Sequence, residues 1–150
     1  MRQHSVIGTW SLVSYKARKA DGVVSFPLGR DAIGYITYTA DGHMSVAMMS
    51  ADRTNYASGD LRGGTVEEKL AAAETYVAYC GSYEVQGDVV VHHVEVAFFP
   101  NRVGTAQRRN FEVSGDTLRL STPPMLIEGV EQTGHLVWKR AVQRRPEGPG

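Results

Sequence analysis

The side chains with the most chemical reach are His92, His93 and Glu95, together with Arg109 and the tyrosines Tyr38, Tyr79 and Tyr83. From Val89 to Val96 the residues are mainly β-branched, as in a strand, and alternation along it groups His92 with Val90, Val94 and Val96, and His93 with Val89, Val91 and Glu95. One histidine therefore faces in and the other out. The reading adopted turns His92 inward and sends His93, with Glu95, outward or toward the helix; in the opposite register the site moves to His93 and Glu95. A partly buried His92 with a depressed pKa is neutral near physiological pH and able to give or take a proton, with Glu95 as a second proton-moving candidate. The plainer alternative is an inward histidine hydrogen-bonded to a tyrosine hydroxyl or to Arg109. A His-x-Glu pair offers two donors to a metal, but zinc needs a third and fourth, and His43 and His135 have no local spacing to supply them. No metal site is assigned.

Arg109 is the other unusual group. In Thr105 to Val113 alternation puts it beside Gln107, Phe111 and Val113, so that if Phe111 and Val113 point inward, Arg109 does too. An inward arginine is costly unless paired, and Glu84, Glu95, Glu112 or a ligand carboxylate, enol or phenolate are the possible partners. If no protein acid faces it, an anionic ligand group is the better explanation. Tyrosines bring aromatic bodies with polar tips to such a wall, and Met44, Val46 and Met48 a deformable apolar surface. The candidate ligand-binding set is Tyr38, Met44, Val46, Tyr83, His92 and Arg109. If the protein is an enzyme, His92 or Glu95 moves a proton while Arg109 holds an enolate or carboxylate.

Other chemistries find no support. No Ser-His-Asp arrangement, phosphate-cradling loop, dinucleotide fingerprint or redox cysteine pair is present, and Gly63-Gly64 lacks the setting of a nucleotide-binding turn. No cofactor is expected. Cys80 is the one cysteine, which excludes an internal disulfide; it reads as a small buried hydrophobe, since nothing in the sequence would activate it. Sixteen basic and sixteen acidic residues cancel, so no field exists to hold a nucleic acid. The N-terminus lacks the apolar run of a signal peptide, and no stretch approaches the ~20 apolar residues of a membrane span. The expected location is the cytoplasm, with no membrane partner; the sequence is silent on oligomeric state.

These side chains must be carried by a single domain, since 150 residues suffice for one core. The domain is expected over residues 1–142, with a charged, Pro/Gly-rich and disordered tail at 143–150. Strands are predicted from about Thr9 to Lys16, from Gly34 to Thr39 and Met44 to Met49 around the Asp41-Gly42 turn, and from Val77 to Val85 and Val89 to Val96 around Gln86-Gly87-Asp88. Thr105 to Val113, Thr117 to Ser121 and Gly134 to Val142 follow, with Pro123-Pro124 as a break, and Val23 to Phe26 reads as a short edge strand. Thr65 and Glu68 fit a capping box that opens one helix over about 66–76, whose stripe of Val66, Leu70, Ala73 and Val77 is expected to plug or flank an opening. The Gly- and Asp-rich segment 51–64 reads as a loop suited to act as a lid. About eight to ten short strands with hairpin connections and one helix describe an all-β protein, an antiparallel barrel or sandwich, and closure is favoured because it removes edges.

The ordered blocks Gly8-Thr9-Trp10, Tyr38 to Ser45, Tyr79 to Tyr83, Val91 to Glu95, Pro100-Asn101 with Gly104-Thr105, and Leu136 to Arg140 resemble the bacterial and fungal lipocalin-like domain family, from Ile7 to Arg140. The resemblance implies a closed antiparallel calycin-type β-barrel whose interior binds a small hydrophobic or aromatic, polyketide-like molecule. It also implies that Trp10 and Arg140 stack to close the barrel floor, a contact of ~0.5–2 kcal/mol. Related barrels in natural-product pathways act as cofactor-free cyclases, so cyclisation or isomerisation in the same cavity is the alternative activity. The chain is shorter than the secreted lipocalins and lacks their disulfides, which speaks against extracellular transport.

Overall fold

The computed structural model describes residues 5–144; residues 1–4, and the part of the expected disordered tail at 145–150, lie outside the described residues. Strand β1 (Gly8–Lys19) is followed by the two-residue β2 (Val24–Ser25) and by the hairpin of β3 (Ile33–Tyr38) and β4 (His43–Met49). The helix α1 (Val66–Glu74) leads into a second hairpin, β5 (Tyr76–Gln86) and β6 (Val89–Ala97), and a 3-10 turn at Pro100–Arg102. The chain closes with β7 (Ala106–Ser114), β8 (Thr117–Ser121), β9 (Met125–Ile127) and β10 (Val130–Arg140). The strands pair in the order β1-β3-β4-β5-β6-β7-β8-β10, and β10 pairs back onto β1 from Trp10↔Arg140 to Lys19↔Gln132. The result is a closed antiparallel barrel of eight strands, with β2 and β9 added to the ends of β1 and β10. No helix among the described residues is long and apolar enough to cross a membrane.

Alternation fills the interior, as a small barrel requires. Trp10, Ile36, Tyr38, Met44, Val46, Tyr79, Tyr83, Val90, Val94, Phe111, Leu118, Leu120, Leu136 and Trp138 are all buried in one core. At the floor, the Arg140 guanidinium lies 4.2 Å from the Trp10 ring centroid and donates to the Ile7 carbonyl at 2.8 Å and the Ser5 carbonyl at 3.1 Å. Trp10 Nε1 donates to the Val6 carbonyl at 2.9 Å. Gly8 makes room for this arrangement: its φ is +129°, and a Cβ there would stand 2.8 Å from an Arg140 nitrogen.

Three sequence expectations are corrected. Val96 does not share the face of His92; a bulge sets Cys80 against Val96 and Gly81 against Val94, so Val96 turns out to solvent and Ala97 packs inward. Gly81 permits the bulge, because a Cβ there would overlap the His93 carbonyl oxygen. The last strand starts at Val130 rather than Gly134, since Glu128 (φ +52°) and Gly129 (φ +80°) turn the chain tightly enough for β9 to pair with it. Finally, α1 has the predicted capping box, with Thr65 Oγ1 accepting from the Glu68 amide at 3.1 Å and Glu68 accepting from the Thr65 amide at 2.8 Å, but it buries no residue. Its Val66 and Leu70 remain exposed, and Val77 belongs to β5.

Candidate functional site

The interior side chains Val46 on β4, Tyr79 on β5, His92 on β6, Arg109 on β7, Leu120 on β8 and Leu136 with Trp138 on β10 surround a cavity of about 60 Å³. Tyr15 and Ile36 complete the wall, and Met48, Val77, Arg102, Thr122 and Met125 also line it. At ~10–15 Å³ per water the space holds only a few solvent molecules, so most of the interior is filled by side chains. Larger hollows lie outside: a groove of about 390 Å³ beside Tyr35 and Tyr76, and one of about 650 Å³ between the 52–56 segment and α1. The inner cavity is the one into which buried polar groups converge.

At its centre stands His92, 1% exposed, with both ring nitrogens engaged. Tyr38 Oη is 2.7 Å from Nε2 and Tyr79 Oη is 2.6 Å from Nδ1. Burial, then the charges of Arg109 and Arg102, drive its pKa down to about 3, so the imidazole is neutral and one nitrogen donates while the other accepts. The partners settle which. Both tyrosine hydroxyls are buried with His92 as partner among the described residues, but Tyr79 lines the cavity and Tyr38 does not, so the Tyr38 O–H goes to Nε2, because the reverse would strand it in the packed core. Nδ1 then carries the proton and donates to Tyr79, whose own O–H is left free at the cavity wall.

Arg109 is 6% exposed; it donates to the Arg108 carbonyl at 3.0 Å and to Gln107 Oε1 at 3.4 Å. Glu84 instead pairs with His93 at 2.8 Å on the outer face, and Glu95 is exposed there. Among the described residues no carboxylate lines the cavity or forms an ion pair with Arg109 or Arg102. Trp138, fully buried, keeps its Nε1–H without an acceptor among the described residues. Thr122 is satisfied, donating to the Pro123 carbonyl at 2.8 Å and accepting the Gly134 amide at 2.8 Å.

Of the residues selected from sequence, His92, Arg109 and Val46 line the cavity. Tyr38, Met44 and Tyr83 are buried in the core but do not line it: Tyr38 lies edge-on to Tyr83 at 4.9 Å, and Tyr83 Oη donates to the Thr39 carbonyl at 2.8 Å. Glu95 is exposed on the outer side with His93, where the adopted register puts it, and does not line the cavity. Sequence reasoning did not select Arg102, whose guanidinium lies 5.3 Å from the Tyr79 ring centroid, nor Tyr15 and Trp138 as cavity groups. The spacing Pro100-Asn101-Arg102 after a strand was the available signal for the first: a tight turn returns the third residue toward the barrel end. No residue of the 51–64 segment lines the cavity; Arg53 and Ala57 bind it to α1 instead, through the Ala72 carbonyl at 3.2 Å and Glu68 at 2.9 Å.

A profile of the lipocalin-like domain matches residues 7–141. The 4'-hydroxy-3'-methoxypropiophenone carrier protein ppsC of Aspergillus oryzae (strain ATCC 42149 / RIB 40) is 34% identical over 106 residues, which cover 65% of this chain and 96% of that protein. A solved lipocalin-like protein from Bacteroides uniformis ATCC 8492 covers 91% of this chain and 99% of its own, with a TM-score of 0.48 and 16% identity. With a profile match spanning all the barrel strands and a closed barrel floored by Trp10 and Arg140, the chain belongs to the lipocalin-like domain family.

Proposed function

We propose that the protein is a carrier for a small oxygenated aromatic molecule, held in the inner cavity without chemical change. The observation that carries this reading is the cavity wall itself: apolar over Ile36, Val46, Leu120 and Leu136, and interrupted by Tyr79, His92, Arg109 and Trp138. Such a surface suits a flat apolar ring bearing one or two oxygens. The relative named as a carrier of 4'-hydroxy-3'-methoxypropiophenone supports the same ligand class. The ligand exceeds the 60 Å³ present, so entry requires side chains to move. Met48, Met125 and Arg102 are unbranched and suited to it.

The alternative, a cofactor-free cyclase or isomerase, loses its proton-moving groups. Both His92 nitrogens are occupied by tyrosines, and Glu95 is on the outside. Titrating 4'-hydroxy-3'-methoxypropiophenone into the protein while following Trp10 and Trp138 fluorescence tests the proposal, and chromatography of the ligand after long incubation tests the alternative. Saturable one-to-one binding with the ligand recovered intact is the expected result. Absence of saturation overturns the carrier reading for this class, and protein-dependent conversion overturns carriage in favour of catalysis.

A further inference from the structure

The cavity wall is rich in hydrogen-bond donors and, among the described residues, holds no carboxylate to meet them. The Tyr79 O–H is free once Tyr38 donates to Nε2 and Nδ1–H donates to Tyr79. Trp138 Nε1–H has no acceptor among the described residues. Arg109 and Arg102 carry positive charges, and no carboxylate among the described residues answers them. The remaining polar groups there offer no compensating anion: His92 is neutral and Thr122 is satisfied. Each donor stranded in a low-dielectric wall costs ~1–3 kcal/mol, more for a charged one, and two like charges facing one space add mutual repulsion.

From this wall of donors and cations without a counter-anion we infer that the cavity recognises an ionised oxygen on its aromatic ligand, with Arg109 and Arg102 as the specificity-determining residues and Tyr79 and Trp138 as the hydrogen-bond donors. Phenolate, enolate and carboxylate share this chemistry. The inference rests on the proposed carrier function and says in which protonation state the cargo travels. The charged and titratable groups facing Arg109 are Tyr15 from β1, Tyr38 from β3, Tyr79 from β5, His92 from β6 and Arg102 from the 3-10 turn; β8 and β10 present only Leu120, Leu136 and Trp138. Tyr15 and Tyr38 are held above the ordinary tyrosine value by burial, so neither supplies an anion of its own near neutral pH.

The test is an optical pH titration of 4'-hydroxy-3'-methoxypropiophenone, whose phenolate absorbs at longer wavelength than its phenol, free and bound to wild-type protein. The bound ligand is expected to ionise at least about one pH unit lower than the free one, a tenfold preference for the anion. Its 4'-O-methyl ether, which cannot ionise there, is expected to bind about tenfold or more weakly, and the benzoate of the same ring pattern separates carboxylate from phenolate recognition. Arg109→Met and Trp138→Phe should return the ionisation toward the free value, with circular dichroism confirming the fold. Arg102→Met should do so less, because Arg102 is only half-buried. Binding with an unshifted or raised ionisation, or an ether that binds as well as the phenol, overturns the inference and leaves the carrier intact. No binding of phenol, ether or benzoate overturns the carrier and the inference together.

Discussion

The Tyr38 hydroxyl stands 2.7 Å from Nε2 of His92, and because that tyrosine, unlike Tyr79, lies away from the cavity with no other hydrogen-bond acceptor among the described residues, it fixes the tautomer of the imidazole. Tyr38 and Tyr79 are therefore not equivalent. Tyr38 is the structural anchor, and Tyr79 is the group that presents the result of that anchoring to the cavity.

The difference is measurable. Tyr38→Phe leaves Nε2 as a buried acceptor without a donor and should destabilise the fold by ~1–3 kcal/mol. Tyr79→Phe should cost a similar amount and also weaken ligand binding, since it alone removes a hydroxyl from the cavity wall. Urea denaturation gives the first quantity and fluorescence titration the second. Nitrogen NMR of His92 should find the proton on Nδ1 in the wild type, and a proton on Nε2 would refute the assignment.

Acid stability follows from the same histidine. Burial, reinforced by Arg109 and Arg102, lowers its pKa from 6.5 to about 3 in the folded state. Between those values the unfolded chain binds a proton that the folded chain does not, so folding stability is complete above the unfolded value and falls as pH drops through the window. The slope approaches ~1.4 kcal/mol per pH unit. His92→Gln, which does not titrate, should flatten the dependence of the urea midpoint between pH 6 and 4; an equally steep profile in the variant would place its origin elsewhere.

Which parts of this site were legible in sequence has a physical explanation. Alternation along β6 and β7 puts His92 and Arg109 on the inward face because the period of two runs unbroken through them. The same count misplaces Val96, since the bulge opposite Cys80 and Gly81 adds one residue to β6. Alternation also says nothing about height along the barrel axis. Tyr38, Met44 and Tyr83 point inward as readily as Tyr79 does, yet they do not line the cavity, even though Tyr83 pairs directly with His92. Arg102 reaches the wall from a turn, where no periodic signal exists. The helix was legible in its caps, while its weak apolar stripe gave no reliable sign of whether it would be buried.

That helix makes a test of its own. With Leu70 57% exposed and no buried residue in α1, Leu70→Ala should change stability by less than ~0.5 kcal/mol, as surface substitutions do. Thr65→Ala removes the capping hydroxyl that accepts from Glu68 and should cost ~1 kcal/mol. Thermal melts of both variants decide the matter: a larger loss for Leu70→Ala would mean that the helix docks on the barrel.

The floor should be more sensitive than the helix, and the reason is the geometry around Gly8. Its φ of +129° is one that side chains with a Cβ rarely adopt, and the space a methyl would take is held by Arg140 at 2.8 Å. Gly8→Ala therefore meets backbone strain of ~1–3 kcal/mol and displaces the guanidinium from its place over Trp10. Arg140→Met keeps the stem but removes the donors to the Ile7 and Ser5 carbonyls and the charge over the ring, at ~0.5–2 kcal/mol for the cation-π contact alone. Both losses act on one arrangement, so in Gly8→Ala/Arg140→Met the combined loss should fall short of the sum of the single ones. Urea titrations of the four proteins in the cycle measure this coupling, and strict additivity would show that Gly8 and Arg140 stabilise the floor independently.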